Sequence, residues 1–359
     1  MLNILERYIL KKHISAFLFF VFAFVLIICI IDFTEKNDDF MHHNLSYWIV
    51  FRDYYLRLIP YLANFLSPIM IFLSTIYVTS KLASHTEIIA ILSSGVNFGR
   101  FLWIYIKGSI FLAIIIFFMI GWVIPNSNKV RVNFEVEYLK NKFNYEKLNT
   151  HVKVSENTYV YIESYNNDRD YGTGFTIERF DDKELIYKLQ SSRVKWDSTS
   201  RKWHIDRYSL RTYNKGVENL SYGTSLDTTL NLYPKDFQSE FKKQEALTIP
   251  ELRAFIKEQK ERGFSDIKLY EIEYYERFTY PLAIIILTTL GVIVSSKKSR
   301  NGVASQIIVG LVLALTFIMF IMIGRNFAQD GTLHPLITAL TPDIVYGFIA
   351  YGMFKKLPQ

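Results

Sequence analysis

Apolar residues along this chain gather in long runs near its two ends, with a polar stretch between them. Residues 14–31 form an unbroken run, long enough to cross a bilayer core, which takes about 20 apolar residues in a helix. The same pattern predicts five further spans, at about 58–79, 108–124, 278–294, 303–324 and 333–354. Pro60 and Pro68 fall inside the second, where a membrane helix tolerates proline and kinks. From about residue 152 to 232 the period changes to two. Leu185, Tyr187 and Leu189 recur at every second position; Val194 and Trp196 alternate with Arg193 and Lys195; Trp203 and Ile205 alternate with Lys202, His204 and Asp206. The turn-forming run DSTSRK lies between Trp196 and Trp203, so residues 193–213 read as a β-hairpin. Several short strands at this spacing make an all-β sandwich or roll. The expected architecture is membrane α-helical, with six transmembrane helices and an all-β domain inserted after the third. Residues 1–124 carry spans one to three, 125–275 the β domain with flanking helices, and 276–359 spans four to six.

Two Ser/Thr-x-x-Glu stretches signal helix starts. Thr248-Ile-Pro-Glu251 reads as a capping box with proline in the first turn, opening a helix that stops at Gly263. Ser84 and Glu87 read as a second box, with Gly95 where a helix ends in the left-handed conformation. The helix of about 84–94 so framed is roughly 15 Å long, half of what a bilayer core requires. Ile88, Ile89, Ile91 and Leu92 share one broad arc of it. It is a short two-faced helix held between the second and third spans.

Charge fixes the expected orientation. Lys11, Lys12, Lys81, Arg100, Lys297, Lys298, Arg300, Lys355 and Lys356 all fall on one side of a six-span chain, and the opposite short loop carries Asp32, Glu35, Asp38 and Asp39. The positive-inside rule places both termini and the 84–94 helix in the cytoplasm, and the β domain outside the membrane, which is the periplasm if the cell is Gram-negative. A first run of this length, with no small-residue cleavage site after it, is a retained span and not a signal peptide. The net charge of +7 therefore reflects topology, and nucleic acid is excluded as a partner because no RNP-like motif or long basic block accompanies it. The single cysteine, Cys29, rules out an internal disulfide and a cysteine-based metal site.

No GxxxxGK[ST] loop, HExxH or GxSxG motif is present, and His42-His43 is an adjacent pair without helical spacing. No cofactor is expected in this chain, and if transport is driven by ATP, the ATP and its magnesium belong to another polypeptide. Glu87 has two readings of equal weight: the cap of its own helix, or a carboxylate offered to a basic partner. Asp343 sits near the middle of the sixth span, where it faces a polar cavity or pairs with a cation such as Arg325; alternatively the span starts later and Asp343 is interfacial. Asp32 and Lys36 mark either a solvated boundary of the first span or the charged rim of a lipid portal. Tyr159, Tyr161, Trp196 and Trp203 are the β-domain aromatics, core residues or the lining of a lipid groove.

The leader LERYILKK, the segment S-x-T-E-I-I-A-I-L-S-S-G, the run N-T-Y-V-Y-I-E entering the β domain, the V-K-W-D…W-H-I hairpin and L-T-I-P-E-L before the fourth span occur in an order that resembles one family. It is the LptF/LptG permeases (YjgP/YjgQ family) of the lipopolysaccharide exporter, and the resemblance covers essentially the whole chain. It implies a jellyroll-like periplasmic domain and a second permease of the same type. It also implies a dimeric cytoplasmic ABC ATPase like LptB, periplasmic partners like LptC and LptA, and lipopolysaccharide as cargo, moved from the inner membrane. It makes the 84–94 helix the coupling helix, with Glu87, Ser84, Ile88, Ile91 and Leu92 as the ATPase-facing residues. The sequence departs from the LptG pattern at Asp32, where basic residues are expected and Lys36 is the nearest cation; either another group such as Arg52, Arg57 or Arg325 meets the head group, or the lipid differs in charge. A secondary transporter and a membrane-anchored binding module are the rival functions. The first would need ion-binding carboxylates near the midplane, for which Asp343 is the candidate. The second makes six spans an extravagant anchor.

Overall fold

A computed structural model describes residues 4–139, 149–166, 169–182, 184–214, 217–237, 242–262, 267–297 and 302–356. It has six helices long and apolar enough to cross a membrane: α1 (Ile4–His42), α2 (Tyr47–Ser84), α4 (Phe98–Leu139), α7 (Ile267–Ser295), α8 (Gly302–Gln329) and α9 (Pro335–Lys355). The short α3 (Glu87–Ser93) lies between α2 and α4. α5 (Lys243–Ala246) and α6 (Ile249–Glu261) precede α7.

Most of these helices extend well past the apolar run that predicts them. Hydropathy marks only the slice that sits in hydrocarbon, whereas the backbone ladder continues wherever no residue breaks it. The charged turns of α1 beyond residue 31 and of α4 beyond residue 124 are therefore still helix. Three stretches loosen to π-helix, Val50–Tyr55 in α2 and Met119–Val123 and Glu135–Leu139 in α4. Of the flanking segment after the third span, residues 140–148 lie outside the described residues, as do Gly263, Lys298 and Arg300.

The chain forms two compact units. The first combines Met1–Leu139, Lys243–Leu252 and Lys268–Gln359, so the α5 segment and the start of α6 belong with the spans. Its core gathers Ile9, Phe72, Ile76, Phe101, Tyr105, Leu287 and Leu290. α2 and α7 bury most of their apolar windows, and α1 and α8 bury little. α7 approaches α2 closely through Gly291, where a Cβ would lie 3.1 Å from Thr75 Cγ2, the small-residue contact by which membrane helices pack. Phe98 meets Phe354 with ring centroids 6.2 Å apart, which puts the start of α4 and the end of α9 at one end of the bundle.

The second unit, Lys140–Lys242 with Arg253–Ile267, contains one antiparallel sheet and the greater part of α6. Its strands are β1 (Thr150–Ser155), β2 (Thr158–Ile162), β3 (Ser164–Asn166), β4 (Tyr171–Asp181), β5 (Glu184–Asp197), β6 (Lys202–Asn214) and β7 (Val217–Thr228). They pair in the order β1-β2-β4-β5-β6-β7, with β3 alongside β4. The hairpin expected at 193–213 forms, with Trp196 directly opposite Trp203. A flat sheet would put β3 and β6 about 14 Å apart at three strand spacings. Yet the rings of Tyr165 and Trp203 meet at 5.9 Å, so the sheet curls into a roll. Val160, Ile162, Phe175, Leu189, Val194 and Ile205 fill its inside.

Candidate functional site

The helix between α2 and α4 starts differently from expectation. The capping box of Ser84 and Glu87 does not form. α2 runs on through Ser84, whose hydroxyl donates back to Lys81 O at 2.9 Å. Thr86 then turns left-handed (φ 60°) and Glu87 begins α3 with no side-chain cap. The reason lies upstream: Lys81-Leu82-Ala83 are good helix formers, so nothing ends α2 early enough to free Ser84. Gly95 does take the left-handed conformation (φ 87°) and its N–H closes on Leu92 O at 3.0 Å.

Released from capping, Glu87 reaches another helix. The Tyr8 hydroxyl of α1 donates to Glu87 Oε2 at 2.9 Å, and Lys12 Nζ stands 3.6 Å from Glu87 Oε1. Ile88 is turned into the bundle and fully buried, with Ile91 and Leu92 packed against the same core. Ile89, on the other flank of the arc, stays exposed. Of the isoleucines, the outward one is Ile89, not Ile88.

At the opposite end of the bundle, Asp32 and Lys36 are an internal node. Lys36 Nζ lies 2.5 Å from Asp32 Oδ1, one helical turn away. Tyr54 and Tyr55, from the π-helical stretch of α2, donate to the two oxygens of Asp32 at 3.3 and 3.1 Å. Arg52 is engaged bidentately by its neighbour Asp53 at 2.8 and 2.6 Å. Arg57 differs: it makes no hydrogen bond or ion pair with any described residue, and its Nε is buried.

Arg325 and Asp343 do not pair. Arg325 forks onto Glu276 of α7, with Nε 2.6 Å from Oε1 and Nη2 on Oε2, and approaches Glu273 at 3.7 Å. The register explains the correction. Gly324 packs on Thr338 and Thr316 bonds Tyr346, so α8 and α9 run antiparallel with Asp343 level with Met319. That is about 9 Å of helix rise from Arg325. Asp343 is buried and its Oδ2 has no partner. It lines a cavity of about 20 Å³ with Glu276, Thr279, Tyr280 and Thr338, room for one water molecule. Tyr280 and Thr338 spend their hydroxyl protons on Phe65 O and Pro335 O.

The β-domain aromatics divide by face. Trp203 is wholly buried and its indole N–H donates to Leu232 O at 2.8 Å; Trp196 packs edge-on against it. Both belong to the interior. Tyr159 and Tyr161 alternate with the buried Val160 and Ile162 and point the other way. Tyr161 donates to Asn149 Oδ1 at 2.6 Å and borders an open groove that also includes Arg207, Tyr208 and Tyr222.

Sequence reasoning missed two buried arginines of the first unit. Arg131 bonds Glu135 Oε1 at 2.6 Å and Glu245 Oε2 at 2.7 Å; Arg277 donates to Leu247 O at 2.6 Å and Gln244 O at 2.8 Å. Together they fix α5 to α4 and α7. Four-residue spacing of Arg131 with Glu135, and of Glu273 with Arg277, was the available signal. Among the described residues no group of three or more His, Cys, Asp or Glu is placed to hold a metal ion.

The family model described as lipopolysaccharide export system permease LptF/LptG matches residues 7–356, nearly the whole chain. No curated protein matches it.

Proposed function

Because the chain belongs to the LptF/LptG family of lipopolysaccharide export permeases, a transport family of multi-pass inner-membrane proteins, we propose that it is one permease of an ATP-driven exporter. The observation that carries the reading is a family match spanning the bundle, the short helix α3 and the rolled sheet alike. A dimeric cytoplasmic ABC ATPase binds ATP and magnesium and docks at α3. This chain hydrolyses nothing. A second LptF/LptG-type permease faces the thinly packed spans α1 and α8, whose Phe19, Phe22, Ile308 and Met319 are largely exposed among the described residues. Lipopolysaccharide enters between the two permeases, rises to the β domain in the periplasm and passes to LptC-like and LptA-like proteins.

Two refinements come from side-chain partners. Toward the ATPase, α3 offers Glu87 and Ile89, whereas Ile88 is spent on the core. Toward anionic head groups, Arg57 is the favoured cation of the four considered, because Lys36, Arg52 and Arg325 are each held by a carboxylate. Native-lipid purification of the full chain tests the whole reading. An ATPase, a second permease and lipopolysaccharide should travel with it. Glu87→Ala and Glu87→Lys should insert normally and lose ATPase association or export; normal association and normal export in both sinks the coupling role.

Asp343 supports a second reading, a secondary transporter, since a buried carboxylate in a span commonly marks an ion path. Lipid movement driven by a proton gradient without any ATPase would favour it.

A further inference from the structure

Glu87 is the point of interest, because both of its oxygens are already engaged inside the chain. Tyr8 holds one at 2.9 Å and Lys12 the other at 3.6 Å. Lys12 also contacts the Tyr8 hydroxyl and sits 4.1 Å from the centroid of its ring, so the three side chains form one cluster. About a third of the Glu87 side chain remains exposed, and a carboxylate accepts more than two donors, so an outside partner is not shut out.

The same few turns of α1 are gripped from α4. Lys107 Nζ lies 2.8 Å from Glu6 Oε1. A Cβ on Gly108 would fall 2.7 Å from Leu10 Cδ2, so α1 and α4 approach at glycine distance. The His13 ring packs edge-on to Tyr105 at 5.2 Å, and Ile9 is wholly buried. Past this point α1 has few buried positions, namely Phe17, Val25 and Phe40. The first span is thus a long helix, lightly packed along its length and firmly held at the end where α3 lies.

We infer that Tyr8 and Lys12 are positioning residues for the coupling step: they tie Glu87 to α1, so that displacement of α3 is delivered directly to the first span. This rests on the reading of α3 as the ATPase-docking helix. Exposed ion pairs add little to stability, so the role is mechanical and its loss should leave folding intact.

The test uses the full chain with its co-purifying ATPase and second permease, in phospholipid vesicles loaded with lipopolysaccharide. Spin labels at Ile4→Cys and Ser94→Cys, on a Cys29→Ser background, report the separation of α1 from α3. In Lys12→Glu the ATPase should co-purify at the normal ratio and hydrolyse ATP. Lipopolysaccharide released per ATP should fall about fivefold or more, the usual range of a coupling energy. The label distance should broaden. Tyr8→Phe should act in the same direction and less strongly. Adding Glu87→Lys to Lys12→Glu should restore the narrow distance but not release, because Glu87 is also the carboxylate offered to the ATPase. Unchanged release and distance in Lys12→Glu overturns the inference. So does a charge-swapped pair whose label distance is no narrower than in Lys12→Glu alone, which would mean that Glu87 serves only an outside cation. If no ATPase accompanies the unaltered chain, the exporter reading fails, and the label distances alone still decide whether the clamp exists.

Discussion

At Thr248 the backbone N–H and the hydroxyl both reach Glu251 Oε2 at 2.8 Å, while at Ser84 the hydroxyl turns back to Lys81 O and Glu87 crosses to α1. The two stretches share one sequence pattern and differ in what precedes it. Before Thr248 the chain is already broken: α5 ends at Ala246, Arg277 holds Gln244 O and Leu247 O, and Pro250 then favours a first turn. A polar side chain at such a break has orphan N–H groups to satisfy. Before Ser84 the α2 ladder is still running, and the next two N–H groups, of His85 and Thr86, already donate to Lys81 O and Ala83 O. A capping box therefore reads the state of the preceding backbone as much as its own four residues.

The largest way to break this comparison is at Arg131. Its guanidinium is buried between Glu135 and Glu245, and the second pair anchors α5. Arg131→Met removes the buried guanidinium that pairs with both carboxylates and should cost about 3 kcal/mol, the lower end for breaking a buried pair. Thermal unfolding in detergent should show that loss, together with faster amide exchange at Thr248 as its helix start loosens. Unchanged exchange there would mean that the break before Thr248 is set locally.

Glu251→Ala should cost about 1 kcal/mol, the value of a cap. Burden and benefit also depend on pH. The Thr248 N–H and Lys129 hold the Glu251 carboxyl down at about 2, below the ordinary 4.5. A depressed carboxylate gives its stabilisation in full above its unfolded value and loses it as pH falls toward the folded one. Stability of the unaltered chain relative to Glu251→Ala should thus be constant above about pH 5 and vanish between about pH 4.5 and 2. Glu251 is nearly half exposed, so salt should shrink the difference further.

Much of the architecture was legible because its signals are local and repeated. Six apolar runs gave six spans, and period-two alternation around Trp196 and Trp203 gave the hairpin in register. Partners across elements were not legible. Asp343 and Arg325 are both ionisable residues of neighbouring spans, and only the α8–α9 register shows them too far apart to meet. Glu87 and Tyr8 are 79 residues apart, with no periodicity to link them. Ile88 and Ile89 are adjacent isoleucines of one arc, and tertiary packing alone decides that the first is buried and the second exposed.

A smaller effect is expected at Thr86. A β-branched residue at φ 60° is strained, and asparagine enters that region more readily. Thr86→Asn should stabilise the turn by about 0.5–1 kcal/mol, a part of the strain such a residue stores. Its side chain is exposed, so nothing else is lost. A rise of melting temperature in detergent checks it; a fall would mean that the threonine makes the turn.

The smallest effect sharpens the comparison most. Thr248→Ala should cost about 1 kcal/mol because it removes a hydroxyl bonded to Glu251 at a true helix start. Ser84→Ala should fall within about 0.5 kcal/mol of zero, as for a substitution at a site with no special feature. The Ser84 hydroxyl only shares a carbonyl that already accepts the His85 N–H at 3.1 Å, a back-bond that slightly weakens helices. Equal losses at the two positions, measured by the same unfolding curves, would show that Ser84 caps α3 after all. Glu87 would then owe its place to its own helix and not to α1.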